Sequence, residues 1–177
     1  WSSDVCSSDL NVTVQRSALE ANSWTFPNVQ NQIVTPVALY ENELVHLDSD
    51  GSNPIGGSKA LLSQLSAIDF AVNTEEKKVL VTTKDGIYQT ALGKIIQEPK
   101  LLVKGEGYLS PILDATGYAW VIPKSGNRQI LVFNPEGKRV PFSSGWLSDT
   151  DRLSFSMSNE GSRIVVAAGT SENSRVY

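Results

Sequence analysis

The residues best suited to bind a metal ion lie in one short segment. Asp48-Ser-Asp-Gly-Ser-Asn53 places side-chain oxygens at alternate positions, as the first half of an EF-hand calcium loop does. No acidic residue follows at the spacing where such a loop supplies its last ligand. Asp, Ser, Asn and Gly are also the residues that turns select. We therefore predict a turn and no metal site here, with Asp48 and Asp50 as the candidate ligands should a site exist.

Histidine and cysteine, which supply most zinc ligands and many catalytic groups, occur once each. His46 alternates with Val45 and Leu47 on a predicted strand, so we interpret it as a surface or half-buried strand residue. Cys6 lies in a terminal segment that we exclude from the fold, and a single cysteine forms no internal disulfide. Because zinc sites need several nitrogen or sulfur ligands, the sequence predicts none.

Two other patterns contain groups that act in catalysis elsewhere. Ser154, Ser156 and Ser158 alternate along one predicted strand, without a histidine to activate them. Asp69 and Asp114 lie near predicted innermost strands, and two carboxylates that approach each other can do acid–base chemistry. Asp114 also suits the first position of a turn, which is the interpretation we favour. We predict no catalytic residue and no cofactor.

Two tryptophans could stack on a ligand. Trp120 lies between Ala119 and Val121 on a predicted buried strand, which is typical of a core residue. Trp146 lies in a connection between predicted strands. The sequence does not identify a binding surface.

The elements that position these residues repeat along the chain. Each unit contains a strand, a polar turn and a more apolar strand, and the turns start at Asn73, Asp114 and Ser158. The spacing of roughly 40–45 residues is that of a four-stranded propeller blade. The smallest propellers have about four blades. We therefore predict an all-β fold, an incomplete β-propeller of about three to four blades of antiparallel strands.

Finer patterns predict individual elements. Residues 37–40 and 43–47 should form a hairpin. Residues 59–65 could make one helical turn, but we favour a loop leading into the next blade. Val79 and Val81 should share one face of a strand, with Leu80 on the other. The strands of the last unit are residues 153–157, with alternating apolar and serine side chains, and 164–168, apolar on both faces. A short outer strand containing proline is expected at 140–142.

Composition and charge exclude several classes of protein. The net charge of −4 comes with scattered Lys and Arg, so no basic stripe indicates nucleic-acid binding. No apolar run is long enough to span a membrane, and no signal peptide is visible.

We interpret residues 1–10 as non-native, since they resemble translated sequencing-adapter sequence at the ends of environmental reading frames; a natural polar linker is the alternative. Residues 11–35 are interpreted as a linker or the exit from a preceding domain, and 36–177 as a partial propeller truncated in its last blade.

Residues 109–166 resemble the β-propeller of the LpqB family of actinobacterial lipoproteins. The matching positions include Pro111, Asp114, Gly117, Trp120, Pro135, Gly137, Trp146, Leu147, Ser158, Gly161 and Arg163. The family has Pro-Ser-Trp-Asp where this chain has Pro111-Ile-Leu-Asp114. The match over residues 37–103 is weaker but keeps order and spacing. Because most of these positions are turn and core residues, we expect structural roles for them.

The resemblance implies a non-catalytic binding propeller in the cell envelope. It implies a protein on the extracytoplasmic face of the cell membrane, held there by an N-terminal lipid and preceded by a GerMN-type domain. The implied partner is the extracytoplasmic part of a sensor kinase in a two-component system. An enzymatic propeller, such as a lactonase or a peptidase's gating propeller, and a generic protein-binding scaffold are the alternatives.

A propeller normally covers each blade with the next. We therefore expect the terminal blades of this chain to expose Val, Ile and Phe side chains. Expressed alone, the chain is expected to be poorly soluble or to dimerise through those faces.

Overall fold

The structure is a computed structural model that describes most of the chain after residue 36 and one short strand before it. The described residues are 23–25, 37–40, 43–48, 51–73, 77–91, 98–105, 107–158, 161–170 and 172–177. Residues 23–25, 46–48 and 51–53 are described by their backbone alone. The segment 1–10, most of 11–35, and Asp50 lie outside the described residues.

The described strands form four antiparallel sheets, which we call blades 1 to 4. Blade 1 contains β1 (Ser23–Thr25), β2 (Val37–Tyr40), β3 (Glu43–Asp48) and β4 (Gly51–Pro54). Blade 2 contains β5 (Asp69–Asn73), β6 (Lys78–Thr83), β7 (Gly86–Ala91) and β8 (Lys100–Lys104). Blade 3 contains β9 (Tyr108–Leu113), β10 (Ala119–Pro123), β11 (Leu131–Phe133) and β12 (Arg139–Val140). Blade 4 contains β13 (Arg152–Met157), β14 (Ile164–Gly169) and β15 (Ser174–Val176).

The first strands of successive blades lie against one another, β1 on β5, β5 on β9 and β9 on β13. This is how the innermost strands of a propeller surround its channel. One face of blade 4 is exposed, so the described blades do not close into a ring. The all-β, incomplete propeller predicted from the sequence is confirmed. The innermost strand of blade 1, β1, lies within the segment interpreted as a linker.

Three apolar cores lie between successive blades. Core 1, between blades 1 and 2, contains Val37, Leu39, Leu44, Ile55, Leu62, Phe70, Val72, Val79 and Val81. Core 2, between blades 2 and 3, contains Ala71, Leu80, Ile87, Val103, Tyr108, Leu113, Ala119, Val121, Leu131 and Phe133. Core 3, between blades 3 and 4, contains Ile130, Leu147, Val166 and Ala168, with Trp120, Leu153, Phe155 and Ile164 packed against it. Successive residues of a strand therefore belong to different cores, as predicted for Val79, Leu80 and Val81.

Blade 4 departs from this arrangement on one face. Leu153 and Phe155 of β13 are half-buried, while Ser154 and Ser156 are exposed, as the alternation predicts. The next strand, β14, is apolar on both faces, and one of these faces is exposed, as expected for a terminal blade. Val166 is 3% exposed in core 3, but its neighbour on β14, Val165, is 53% exposed. No sheet of the described residues packs on that side.

Three hairpin turns share one chemical plan, a polar residue followed three positions later by glycine. Asp114, Asn134 and Ser158 each accept a hydrogen bond at the backbone carbonyl from the amide of Gly117, Gly137 and Gly161, at 3.0, 2.8 and 2.8 Å. All three glycines have φ between 71° and 83°, where a Cβ is unfavourable. The side-chain oxygen of the polar residue accepts a second amide hydrogen bond further along the turn, from Tyr118, Lys138 and Arg163 respectively.

The proline of the innermost strand lies in a β-bulge. Ile112 pairs with Trp120 and Leu109 with Ile122, so Ser110 and Pro111 together oppose Val121. Ser110 has φ 50°. Proline cannot donate to a ladder, and a bulge is one of the places in a sheet where it is tolerated. This explains how Pro111 fits within a paired strand.

Three sequence predictions are corrected in the connections. Residues 59–65 lie in a helix, α1 (Ser58–Leu65), rather than a loop, because Leu61, Leu62 and Leu65 pack on core 1. Residues 51–54, predicted as a turn cluster, form the outer strand β4, where an edge position tolerates proline. The outer strand of blade 3 is β12 rather than 140–142.

Two buried serines, each after the outer strand of a blade, hydrogen-bond to backbone at the third strand of that blade. The hydroxyl of Ser58 accepts from the amide of Leu44 at 3.0 Å and donates to its carbonyl at 3.4 Å. The hydroxyl of Ser144 does the same with Ile130, at 3.0 and 3.1 Å. Both serines are at most 3% exposed. Each therefore satisfies a buried backbone amide and adds a hydrogen bond to the carbonyl of the same residue, which at Leu44 also accepts from the Ile55 amide at 2.8 Å. We call each arrangement a serine clamp.

We expect Ser144→Ala to lower the free energy of unfolding by about 1–3 kcal/mol, because it leaves the Ile130 amide and carbonyl buried and unpaired. Urea denaturation measures the change. The control is Ser148→Ala, whose hydroxyl bonds only to the exposed Asp149 and should leave the midpoint unchanged. Equal midpoints for the two variants would show that the Ser144 clamp contributes nothing.

Candidate binding surface

Asp114 organises the turn between the two inner strands of blade 3. Its Oδ1 accepts from the amide and hydroxyl of Thr116, at 2.9 and 2.8 Å, and from the amide of Tyr118 at 2.9 Å. Its Oδ2 accepts from the indole Nε1 of Trp120 at 2.9 Å. The Trp120 ring packs edge-to-face on Phe142 and against core 3. Trp120 therefore belongs to the core, as its flanking residues predict, and Asp114 begins a turn.

The corresponding turns of neighbouring blades meet at Asp114. The side-chain amide Nδ2 of the buried Asn73, at the end of β5, donates to the backbone carbonyl of Asp114 at 3.0 Å. On the other side, a Cβ built on Gly161 of blade 4 would lie 3.9 Å from the Asp114 Cβ. Asp114 thus lies where the turns of three blades meet, and its carboxylate oxygens already accept four hydrogen bonds from its own blade.

The other candidate catalytic residues do not converge. Asp69 Oδ1 accepts from the adjacent Phe70 amide at 2.9 Å. Ser154 and Ser156 lie on the exposed face of blade 4, and Ser158 accepts from the Arg163 amide within its own turn. No contact between any of these serines and a base is present in the described part of the chain.

The candidate metal ligands lie outside the part of the chain where side chains are described. His46 and Asp48 are described by backbone alone, with Asp48 opposite Gly51 in the ladder of β3 and β4. Among the residues with described positions, no group of three or more His, Cys, Asp or Glu side chains comes together. The prediction of no metal site, with Asp48 and Asp50 as the candidate ligands should one exist, stays a prediction.

Among the residues that the structure describes, Tyr108 has a hydroxyl pKa that its surroundings clearly shift. It lies in core 2, with its ring edge-to-face on Phe133 at 5.9 Å. Burial raises the pKa of its hydroxyl above the ordinary value of 10.0, and the positive charge of Arg139 offsets part of that rise.

This pKa shift predicts a loss of stability at high pH. The folded state keeps the Tyr108 proton to a higher pH than the unfolded state does. The contribution of this hydroxyl to the free energy of unfolding is therefore fully present below the ordinary pKa of 10.0 and is lost as the pH rises through the folded pKa. We expect the urea midpoint to fall as the pH is raised above 10, and to fall less in Tyr108→Phe than in the original chain. A variant with the same alkaline fall as the original chain would contradict this assignment.

An exposed aromatic pair lies at the outer edge of blades 3 and 4. Trp146 belongs to a 3-10 helix, Gly145–Leu147, in which Leu147 is fully buried in core 3. The Trp146 ring is 52% exposed and packs edge-to-face on Tyr177, itself 55% exposed, with centroids 4.6 Å apart. The backbone of Tyr177 exchanges two hydrogen bonds with Val166, at 2.9 and 3.1 Å. Both rings are therefore exposed but held on firmly packed backbone.

An arginine lies beside this pair. Arg175 and Tyr177 are paired across the ladder with Ala168 and Val166, which both belong to core 3. Side chains of directly opposed residues share a face, so Arg175 and Tyr177 point to the same side of blade 4. We call Trp146, Arg175 and Tyr177 the aromatic surface.

Trp146 is one of the positions that match the family, but the sequence gives no signal for its partner, Tyr177. Tyr177 lies far along the chain, and only the pairing of β14 with the terminal strand brings the two rings together. The serine clamps were also missed. Their local signal is a serine followed three or four residues later by a buried leucine, as in Ser58 with Leu62 and Ser144 with Leu147.

Comparison with known proteins identifies the family. In the described residues no helix has the length and apolar character needed to cross a membrane. No curated protein and no solved structure matches the chain. The family model of the lipoprotein LpqB beta-propeller domain matches residues 42–177, which include β3 and β4 of blade 1 and all of blades 2 to 4. The chain therefore belongs to the family of LpqB lipoprotein β-propeller domains.

Proposed function

We propose that this chain is the non-catalytic binding propeller of an envelope lipoprotein and that it acts as an accessory to a two-component sensor kinase. The partner is the extracytoplasmic part of that kinase. The whole protein is held at the extracytoplasmic face of the cell membrane by an N-terminal lipid. Family membership supports the lipoprotein assignment, and the partner follows from what the family resemblance implies.

The observation that supports a binding role most directly is the exposure of Trp146. Tryptophan, tyrosine and arginine are the residues most enriched at the energetic centres of protein interfaces, and all three occur in the aromatic surface. Each exposed ring loses little conformational entropy on binding, because the backbone beneath it is already fixed by core 3. The arginine favours a partner with acidic groups next to an apolar contact.

Titration of the 177-residue chain with the purified extracytoplasmic domain of the sensor kinase, followed by calorimetry, tests this proposal. We expect saturable binding that Trp146→Ala weakens at least tenfold, since a buried aromatic at the centre of an interface contributes about 2 kcal/mol or more. Leu101→Ala is the matched control, because Leu101 is an apolar residue 43% exposed on β8, away from the aromatic surface. It should leave the affinity unchanged.

Two results would overturn the proposal. Absence of binding to the kinase domain, together with turnover of a small substrate by the chain, would favour an enzymatic propeller. Binding that Trp146→Ala and Leu101→Ala alter equally would remove the aromatic surface from the interface. Melting curves of both variants establish that each is folded before the titrations are compared.

A further inference from the structure

The side chain of Tyr108 places a buried hydroxyl group between blades 2 and 3. The residue is 8% exposed, and its ring belongs to core 2. Within the described part of the chain, no polar atom forms a hydrogen bond with this hydroxyl. Native proteins satisfy nearly all of their buried polar groups, because an unpaired one is costly. The Tyr108 hydroxyl is therefore a polar group to which the fold itself supplies no partner.

The chain makes room for this hydroxyl at Gly105, in the connection from β8 to β9. A Cβ built on Gly105 would overlap the hydroxyl oxygen of Tyr108. Gly105 does not have the positive φ that favours glycine, unlike Gly107 with φ 96°. The backbone amide of Gly105 already donates to the carbonyl of Asp85 at 3.1 Å. Glycine at this position thus provides space beside the hydroxyl and not a hydrogen bond to it.

Arg139 lies on the same side of blade 3 as this hydroxyl. It opposes Phe133 across the ladder of β11 and β12, so the two side chains share a face. The ring of Phe133 in turn contacts the ring of Tyr108. The Arg139 Nη2 donates to Gln129 Oε1 at 3.3 Å, and its positive charge acts on the Tyr108 hydroxyl. No acidic side chain of the described residues forms an ion pair with Arg139.

We propose that Tyr108 and Arg139 bind a carboxylate group at the outer edge of the interface between blades 2 and 3. One carboxylate oxygen accepts from the hydroxyl and the other from the guanidinium, which gives both groups the partner that the fold does not supply. A carboxylate carries one negative charge, and one arginine balances it. A phosphate monoester carries nearly two at neutral pH and would leave a net charge beside the buried ring of Phe133.

This site is independent of the proposed function. It lies between blades 2 and 3, whereas the aromatic surface lies at blades 3 and 4. The carboxylate belongs either to an acidic side chain of another protein or to a small free acid, and the two sources share the same chemistry at Tyr108 and Arg139.

Titration with sodium acetate at constant ionic strength, followed by amide NMR, tests the site. We expect the Gly105 amide signal of the original chain to shift saturably. The dissociation constant should rise about tenfold or more in Tyr108→Phe and in Arg139→Gln, because each removes a hydrogen bond to a charged group. Lys138→Gln removes the same charge from the exposed neighbouring residue and should bind acetate like the original chain. Absence of a saturable shift, or an equal loss in Lys138→Gln, would overturn the proposal.

A pair of blocked tripeptides, Ala-Glu-Ala and Ala-Gln-Ala, distinguishes the two sources of the carboxylate. Saturable shifts with the glutamate peptide and none with the glutamine peptide support an acidic side chain of a protein. Shifts with acetate but with neither peptide support a small free acid. Equal shifts with both peptides would show that the carboxylate is not what is recognised, and would overturn the proposal.

The stability of Tyr108→Phe without ligand gives a second readout. Because the hydroxyl has no partner in the described fold, its removal should leave the urea midpoint at neutral pH unchanged or slightly higher. A clearly lower midpoint would show that the hydroxyl is already satisfied within the folded chain and is not available to a carboxylate.

Discussion

Replacing Asp114 by alanine should lower the free energy of unfolding by about 3 kcal/mol or more. The change removes an acceptor that is 8% exposed and leaves the donors of Thr116, Tyr118 and Trp120 without it. These hydrogen bonds are partly buried and are accepted by a carboxylate, and a hydrogen bond to a charged group contributes about 1.5–3 kcal/mol. Urea denaturation measures the loss, with Asn134→Ala as the control. Asn134 occupies the same position in an exposed turn and bonds to one amide, that of Lys138, so its loss should be nearer 1 kcal/mol.

A double-mutant cycle isolates the bond between Asp114 and Trp120. Asp114→Asn keeps one side-chain oxygen for the turn amides but points an NH₂ group at the indole N–H, so two donors face each other. Trp120→Phe should add less destabilisation in the Asp114→Asn background than in the original chain. Additive losses would show that the two side chains do not interact, and an Asp114→Ala loss no larger than that of Asn134→Ala would contradict the role of this turn.

Gly137→Ala should destabilise the chain by about 3 kcal/mol, of which about 1 kcal/mol comes from the left-handed backbone and the rest from a steric overlap. A Cβ at this position would overlap the backbone carbonyl oxygen of Leu102, which lies on β8 of the neighbouring blade. Neither backbone can move without disturbing core 2. The unfolding free energy from urea titration measures the effect.

Gly126 provides a matched control for that substitution. It has φ 83°, close to the φ of 80° at Gly137, but a Cβ built there would meet no atom within 4 Å. Gly126→Ala should therefore show the backbone cost alone. If the two alanine variants were equally stable, the close approach of blade 3 to blade 2 at Leu102 would be wrong.

The strand pattern could be predicted because it is local. The alternation of Val79, Leu80 and Val81, and of serines with apolar residues along β13, follows directly from the two-residue period of a strand. Those side chains contact different cores for the same reason. Turn positions such as Asp114 and Gly117 were also predictable, since the side-chain hydrogen bonds and the positive φ involve residues only a few positions apart.

The rest depends on contacts between distant residues. Residues 59–65 are too short and too weakly patterned to predict a helix, and what fixes α1 is core 1 together with the Ser58 clamp on Leu44. The link from Asn73 to Asp114 joins two blades. The aromatic surface exists only because the last strand of blade 4 brings Tyr177 to Trp146. No local period predicts which residues a neighbouring blade will touch.

The central claim is that the blades are stabilised by the cores between them, and native-state hydrogen exchange tests it most directly. β6 and β14 are both paired along both edges, but β6 lies between two cores and β14 contacts only core 3. At concentrations where the chain is monomeric, we expect the amides of Val79 and Val81 to exchange only through global unfolding. Those of Val165 and Ala167 should exchange faster, through local opening of blade 4. Equal protection of the two strands would contradict the stacked-blade account.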